Sequence, residues 1–356
     1  MAPSRRSRSS ARLVRRVVFC LAATTALSAK ADIVTLIEGT TFKQGQGGAV
    51  RGTVESESPS EVVVSLGNST IKVPTDQIDR VEYQGQPASM QLGETRERAG
   101  QLAAAAAEFK KAATEAAGKP FIAEAALFRE ANCLAALALT EPDRVQEAVG
   151  RLSAFLQAHP NGRHVARARE TLAKLQLHAK DYQAAEAAVA ELAKLPLAAE
   201  RAALLKAKIL VRQGDYAAAD AELNRLIEAL PEGAAQHREA RLIQVEALVG
   251  EKKFTEAESL VRQVIVDAPA EDAQAQAPAY NALGDCLLAA NRPKEALLAY
   301  LHTDLLYSKD KEEHPRALHQ IEQLFRRIGQ TARADEYAQR LKQEYPNSPW
   351  LAASSQ

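Results

Sequence analysis

The sequence predicts a mainly helical protein, a solenoid of about seven helix pairs that follows a small barrel of five short strands. Three observations carry this prediction: an alanine recurs at near-regular intervals, a proline follows most of these alanines, and an alternating apolar pattern is confined to the stretch before them. Such intervals are typical of stacked two-helix repeats. The recurring residues, 34 to 43 positions apart, are Ala105, Ala148, Ala185, Ala219, Ala257, Ala296 and Ala334.

Residues 1–31 have the composition of an export signal. Seven basic and no acidic side chains accompany a short apolar run from Val17 to Leu27, and the segment ends in Ala29-Lys30-Ala31. An apolar run of this length is too short to span a bilayer, which needs about 20 residues. We therefore expect a signal peptide that is cleaved after Ala31. An uncleaved anchor and an unstructured basic tail are the alternatives.

The charge of the remaining chain argues against nonspecific binding to nucleic acid. The whole sequence has 45 basic and 45 acidic residues, so removal of the seven basic residues in the first segment leaves 38 against 45, a net charge of −7. Binding to a phosphate backbone requires a basic face. Cys133 and Cys286 lie four repeats apart, too far for a disulfide, and we expect both to be small buried core residues.

Residues 32–85 alternate between apolar and polar side chains, the pattern of short strands separated by turns. Gly52 lies within the second run, where a strongly bent barrel would kink. The five predicted strands are Ile33–Leu36, Ala49–Glu55, Glu61–Leu66, Thr70–Val73 and Ile78–Tyr83.

The order of short motifs in this region resembles the small SH3-like or Sm-like barrels at the start of exported bacterial repeat proteins. The motifs are an opening strand followed by Glu38-Gly39, then Gly52-x-Val54, Val73-Pro74 and Ile78-x-x-Val81. The resemblance implies a small barrel domain over residues 32–85. It does not identify a ligand.

Residues 86–348 change to alanine, leucine, glutamate and lysine at helical spacing. Proline closes most units because it cannot continue a helix and disfavours helical angles in the residue before it. The predicted units start near 86, 129, 166, 200, 238, 277 and 315, and residues 349–356 are predicted to form a C-terminal tail. The closing residues are Pro160, Pro231, Pro269 and Pro346, with Pro196 one position early.

Two stretches of this region resemble the tetratricopeptide repeat. Gly214-Asp215-Tyr216, followed by Ala219 and Pro231, looks like its second helix and exit turn, and Tyr280–Tyr300 looks like nearly a whole repeat, with Gly284 where two helices cross. The resemblance implies a superhelix whose concave surface is lined by the first helix of each unit. Proteins of this family bind protein or peptide partners there.

The sequence contains no motif of an enzyme or of a cofactor site. The seven histidines show no His-x-x-x-His spacing, and Gly-x-Ser-x-Gly, Gly-x-Gly-x-x-Gly and the phosphate-binding loop are absent. We therefore expect no enzymatic activity, no cofactor and no metal.

The resemblance also implies which side chains face the groove. The inward positions include Glu170, Glu246 and Gln323, and a solvated polar face is the alternative interpretation. Because Asn281 stands alone among them, the asparagine-rich carboxylate clamp of some family members is not expected. The candidates for partner binding are Lys174, Lys208, Arg212, Asn281, Asp285, His319 and Arg326.

These expectations combine into a non-enzymatic scaffold or adaptor, periplasmic or associated with the cell envelope, that binds protein or peptide partners through its groove. It would have no transmembrane span after signal cleavage and could belong to an envelope complex. An accessory subunit that docks an envelope enzyme, with the barrel binding glycan or lipid, is the alternative.

The first prediction concerns processing of the N-terminus. If the signal is cleaved after Ala31, N-terminal sequencing of the protein from an envelope fraction will begin at Asp32, because the small residues of Ala29-Lys30-Ala31 suit a signal peptidase. Recovery of chains that retain Met1 from that fraction would show that the segment is not removed.

Overall fold

The computed structural model describes residues 31–353, apart from residues 38, 45 and 46. A five-stranded antiparallel sheet comes first and fifteen α-helices follow, which confirms the predicted mainly helical solenoid. The predicted signal segment, except for Ala31, lies outside the described residues.

The five strands form one sheet in the order β4-β3-β2-β1-β5. The predicted barrel is wrong in one respect, because the sheet does not close: β4 and β5 are its opposite edges. The side chain of Arg167, which belongs to a helix, reaches the edge of β5, where its Nη2 donates a hydrogen bond to the carbonyl oxygen of Ile78 at 2.8 Å. This hydrogen bond ties the helical part of the chain to the sheet. The strands are β1 Asp32–Leu36, β2 Ala49–Glu57, β3 Glu61–Ser65, β4 Thr70–Pro74 and β5 Ile78–Glu82.

Strand β2 changes its partner at Gly52. Residues 49–52 pair with β1, and residues 53–57 pair with β3 after a register shift between Val54 and Ser56. A Cβ atom on Gly52 would lie 2.2 Å from the carbonyl oxygen of Ser65, closer than any side chain can approach. The absent side chain thus lets the two halves of the sheet meet.

Fourteen of the fifteen helices form seven consecutive pairs, and α15 follows the last pair. The second pair begins at Pro120, nine residues before the predicted start near 129, because proline is favoured in the first turn of a helix and α3 is 19 residues long. The segment predicted to be a C-terminal tail, residues 349–356, begins with the short helix α15. The helices are α1 Ala88–Arg98, α2 Leu102–Glu115, α3 Pro120–Ala138, α4 Val145–Ala158, α5 Val165–His178, α6 Tyr182–Leu192, α7 Ala199–Gln213, α8 Tyr216–Ala229, α9 Ala235–Gly250, α10 Phe254–Asp267, α11 Ala273–Ala289, α12 Pro293–Leu306, α13 Glu313–Arg327, α14 Thr331–Glu344 and α15 Pro349–Ala353.

All seven recurring alanines lie in the second helix of a pair, and each is 0% exposed. In two pairs the first helix contributes a glycine to the same crossing. A Cβ atom on Gly93 would lie 2.7 Å from the ring of Phe109, and one on Gly284 would lie 2.5 Å from the ring of Tyr300. Each glycine therefore makes room for the aromatic ring that follows the recurring alanine by four residues in the second helix.

A residue with left-handed backbone angles lies five positions before the alanine in six of the seven pairs, in the turn between the two helices. Four predicted proline stops, at 160, 231, 269 and 346, each lie two residues beyond a helix end. The left-handed turn thus lies at a constant distance from the alanine in six units, and the proline does so in four. The left-handed residues are Gly100, Lys180, Gly214, Lys252, Asn291 and Gly329.

The apolar core is continuous from the sheet into the first seven helices, and two further clusters continue it to α14. Cys133 and Cys286 are buried and unbridged within it. No helix in the described part of the chain is both long and apolar enough to cross a membrane.

The two ends of the helical array also meet. The Nδ2 atom of Asn347, just before α15, donates a hydrogen bond to the carbonyl oxygen of Gly100 at 2.6 Å. Gly100 lies in the turn between α1 and α2, and a Cβ atom there would collide with the Asn347 amide. The last unit therefore lies against the first.

A buried ionic cluster joins the sheet to the helices. Glu57 at the end of β2 accepts a hydrogen bond from the Tyr83 hydroxyl at 2.6 Å and lies 3.2 Å from Nε of Arg163, in the loop before α5. The side chains of Glu57 and Arg163 are 1% and 6% exposed. Burial raises the pKa of Glu57, and the Arg163 guanidinium opposes that rise. Losing either partner would leave the other charge buried and uncompensated.

His164 lies beside this cluster in a strongly basic environment. It is buried and stacks on Phe128, with ring centroids 4.3 Å apart, and neither of its ring nitrogens has a hydrogen-bond partner in the described residues. Burial holds its pKa well below the usual value of 6.5, and neighbouring positive charges add to this effect. Glu124 is the nearby buried carboxylate, and burial raises its pKa. The neighbouring basic groups are Arg129, His159, Arg163 and Arg167.

The second prediction tests the alanine contact. Ala296→Leu should lower the free energy of unfolding by about 1–3 kcal/mol, because the larger side chain overpacks the crossing of α11 and α12. Chemical denaturation followed by circular dichroism measures this change. Ala217→Leu, the same substitution at an exposed position of α8, is the matched control and should stay within about 0.5 kcal/mol of the parent. Equal stability of Ala296→Leu and the parent would contradict the assigned phase.

The third prediction concerns pH. Because the folded protein holds His164 neutral while the unfolded chain protonates it near pH 6.5, this residue should reduce stability as the pH falls below 6.5, by up to about 1.4 kcal/mol per pH unit. Glu57 and Glu124, whose pKa values are raised, contribute in the opposite direction. We therefore expect the unfolding free energy of His164→Phe to fall less between pH 6.5 and 5 than that of the parent.

Denaturation curves at several pH values measure this difference. His178→Phe is the control for loss of a histidine, because His178 is exposed in α5. The prediction is wrong if His164→Phe retains the full acid sensitivity of the parent.

Candidate interaction groove

A cavity of about 1180 Å³ lies along the odd-numbered helices, and we call it the groove. It runs from α5 to α13 and has α9 at its centre. These helices pack side by side, so successive first helices of the pairs form a continuous inner surface. The groove therefore lies where the sequence resemblance places a binding surface.

Four of the predicted candidates line the groove: Lys174, Lys208, Arg212 and Asp285. The amines of the two lysines already have carboxylate partners, since the Nζ atoms of Lys174 and Lys208 lie 2.7 Å from Glu170 and Glu239, respectively. These pairs are solvent-exposed, and exposed ion pairs contribute little stability. Both lysines can therefore exchange their partners at low energetic cost.

Arg212 and Glu246 are two of the groove charges without such pairing. Neither forms an ion pair within 4.0 Å or a side-chain hydrogen bond among the described residues. Glu246 is open to solvent but is surrounded by protein on most sides of the concavity, and this partial burial raises its pKa against the opposing effects of Arg212 and Lys208. Near α9 the groove thus offers an unpaired cation beside a carboxylate that is costly to ionise.

Asp285 is held in a fixed position at the far side of the groove. Its Oδ1 accepts a hydrogen bond from the Tyr300 hydroxyl at 2.5 Å, and its Oδ2 contacts Arg316 of α13. Burial raises the pKa of Asp285, and Arg316 opposes that rise. Asp285 therefore links α11 to α12 and α13 as well as lining the groove.

The structure places Asn281 outside the groove. It is 0% exposed, and its amide nitrogen donates to the carbonyl and the carboxylate of Glu313, at 2.9 and 2.8 Å. Its amide oxygen accepts from the Thr303 hydroxyl at 2.9 Å. Asn281 ties three helices together, so its amide is not available to a partner.

His319 and Arg326 also lie away from the groove. His319 is buried next to Trp350, with ring centroids 5.4 Å apart, because α15 covers this part of α13. Burial lowers the pKa of His319. Arg326 pairs with Glu322 in its own helix and with Asp335 in α14, both at 3.0 Å, and faces that helix pair.

Sequence reasoning missed an apolar strip and several cations. The strip runs along α7, α9 and α11 between the charged groups. Among the missed cations, Arg316 lies 18 residues before its recurring alanine, as do Arg167 and Arg201 in earlier units. This repeated arginine is the sequence signal that could have identified Arg316. The strip consists of Val211, Leu242, Val249, Pro278 and Ala282, and the missed groove cations are Arg238, Lys309, Lys311 and Arg316.

A smaller cavity of about 260 Å³ lies next to the groove, on the inner surface of α3, α5 and α7. Arg167 and Arg201 line it, with Asn132, Thr171 and the ring of Phe128. Glu170 lines it too and joins it to the groove through its ion pair with Lys174. The inner surface is thus basic at this end.

The described residues that line the groove offer both polar and apolar contacts. No serine, threonine, cysteine or histidine is among them. No cluster of three or more potential metal ligands occurs anywhere in the described residues. Burial raises the pKa of the Cys133 thiol to about 12, so this thiol stays protonated and unreactive. The arrangement is suited to binding.

Comparison with known families identifies one of the units. Residues 320–348 match the family model of the tetratricopeptide repeat. The matched segment covers most of α13 and all of α14, and it includes the left-handed Gly329 and the buried Ala334. The other six pairs have the same buried alanine, and five of them have the same left-handed turn. The chain's own regularity therefore extends the repeat pattern over the helical region.

No curated protein matches the chain. Among solved structures, a tetratricopeptide repeat protein from Parabacteroides merdae shares 14% identity and a TM-score of 0.49, over 75% of this chain and 98% of that one. The Rap protein complexed with Competence and Sporulation Factor is 12% identical, with a TM-score of 0.46, over 74% of this chain and 76% of that one. PilW, a type IV pilus biogenesis factor, is 16% identical, with a TM-score of 0.39, over 62% of this chain and 95% of that one. These are likenesses of fold alone.

Proposed function

We propose that this protein is an exported, non-enzymatic scaffold that binds segments of protein partners in its groove within the cell envelope. One observation carries the proposal: five successive first helices form a single open cavity in which an apolar strip is flanked by charges of both signs. Small-molecule sites enclose about 300–1,000 Å³ and bury most of their ligand. A larger and more open groove suits a length of polypeptide.

The chemistry of the groove supports binding to protein. An apolar strip gives affinity by removing apolar surface from water, and flanking charges give orientation and specificity. Leu242 and Val249 lie seven residues apart on α9, so they present one face of the helix to an occupant. Arg212 and Glu246 offer a cation and a carboxylate beside this strip. A segment with apolar side chains on one face and charges at its edges would be complementary.

The composition of residues 1–31 supports the exported part of the proposal. A basic start, a short apolar run and a small-residue ending are features of secretory signals. A location in the envelope would also place the groove among other exported proteins. The partners would then be envelope proteins or exported peptides.

The fourth prediction tests the groove. The double variant Lys208→Ala with Arg212→Ala should keep the helical content of the parent and lose most partner proteins in a pull-down from an envelope extract at low salt, because it removes two groove cations. Arg225→Ala with Lys342→Ala is the matched control, since it removes one arginine and one lysine from exposed positions of α8 and α14. The control should retain the partners of the parent.

A variant of the sheet tests whether the partners bind there and not in the groove. Arg51→Ala with Lys72→Ala removes two exposed cations from β2 and β4 without touching the groove. If this variant loses the partners while the groove variant keeps them, binding belongs to the sheet and the proposal for the groove is wrong.

A further inference from the structure

Five cations form a line across the starts of successive first helices, and we call them the basic row. Arg167 is the third residue of α5, Arg201 the third of α7 and Arg238 the fourth of α9, while Lys309 and Lys311 lie in the loop just before α13. The first two line the smaller cavity and the last three line the groove. The row therefore follows one edge of the inner surface through both cavities.

We propose that the basic row binds an extended acidic segment of a partner protein. The proposal rests on the proposed function, because it assigns the chemistry of the occupant to the same inner surface.

The cations of the row are poorly compensated within the chain. Arg167, Lys309 and Lys311 form no ion pair within 4.0 Å among the described residues. Arg201 and Arg238 have carboxylate partners only at 3.6 and 3.8 Å, to Glu170 and Asp272. These distances exceed those of direct charge-assisted hydrogen bonds. Each arginine of the row also donates one hydrogen bond to a main-chain carbonyl oxygen, and the other donor groups along the row remain available to a ligand.

Four acidic residues near the row have other partners. Glu170 pairs more closely with Lys174, and Glu239 pairs with Lys208. Asp272 and Asp310 accept main-chain N–H hydrogen bonds at the starts of α11 and α13. Acidic side chains are therefore present, but they serve helix ends and groove lysines.

The cations of the row also repel one another. Burial lowers the pKa of Arg167, and the charges of Arg163 and Arg201 lower it further. The starts of α5, α7 and α9 lie at the same edge, and each helix start carries partial positive charge. An anionic occupant would relieve this repulsion and would be attracted by both sources of charge.

The spacing of the row suits an extended chain with separated carboxylates. Neighbouring packed helices lie about 8–10 Å apart, and a chain in the extended polyproline II conformation advances about 3.1 Å per residue with about three residues per turn, so every third side chain lies on the same face. One acidic side chain in about every three residues would therefore meet successive helices. Between Arg238 and the lysines, α11 contributes the neutral Gln274.

The interspersed acids favour a peptide over nucleic acid. Glu239, Glu312 and Glu313 line the groove between or beside the cations. They would repel a continuous line of phosphates, whereas a peptide can place neutral residues opposite them. The net charge of −7 after the first segment acts in the same direction.

Fluorescence anisotropy with labelled synthetic peptides tests the proposal on the full chain. The probe has glutamate at every third position and serine elsewhere, and a second peptide has glutamine in place of glutamate. We expect the acidic probe to bind at low salt, to weaken as salt rises, and to bind about tenfold more weakly to Arg167→Gln with Arg201→Gln. The glutamine peptide should not bind.

Matched variants make the result specific to the row. Arg225→Gln with Lys342→Gln removes the same charge from the outer helices and should change affinity less than twofold. Because Arg167 also contacts the sheet, Arg238→Gln with Lys311→Gln is a second row variant that leaves that contact intact, and the same tenfold loss is expected. Circular dichroism checks that each variant folds.

Three results would overturn the proposal: unchanged affinity in the second row variant, an equal loss in the outer-helix control, or tighter binding of a single-stranded oligonucleotide of equal charge. None of these would affect the partner pull-down with Lys208→Ala and Arg212→Ala. Suppose that this groove variant loses the partners but that the row variants bind the acidic peptide as tightly as the parent does. The groove would then remain a binding site, and only the proposal of an acidic occupant would be rejected.

Discussion

The helical array depends on one steric contact, a methyl group where the second helix of each pair crosses the first. The seven alanines of this pattern are fully buried, and in two pairs a glycine on the first helix makes room for an aromatic ring four residues after the alanine. A fixed crossing point fixes which face of each first helix is turned inward. The groove, its apolar strip and the basic row are therefore consequences of where the small residues lie.

Short-range features of the sequence predicted most of the fold. Strand borders, helix stops and the phase of the repeats depend on residues close together in the chain, and the structure has them within a few positions apart from the start of α3. The predicted closure of the barrel is wrong because β4 and β5 remain opposite edges of the sheet, and β5 instead receives a hydrogen bond from Arg167, 89 residues beyond Ile78. Such a contact leaves no local pattern in the sequence.

The site was predictable as a surface but not residue by residue. A repeat pattern shows that Lys208 and Asn281 lie on first helices, yet only the neighbouring unit determines that Glu313 covers Asn281 and leaves Lys208 at the groove. His319 was misplaced because α15 arises from residues predicted to be a tail. The positions of side chains that lie between units therefore could not be predicted, because the sequence of one unit does not show which residues of the next unit contact it.

The hydrogen bond between Asn347 and Gly100 joins residues 247 positions apart. An array whose ends are free can gain or lose a helix pair with little effect elsewhere, because each unit contacts only its neighbours. Here an added or deleted pair would carry Asn347 away from Gly100. The array therefore contains a contact that depends on the number of units, which an array with free ends does not have.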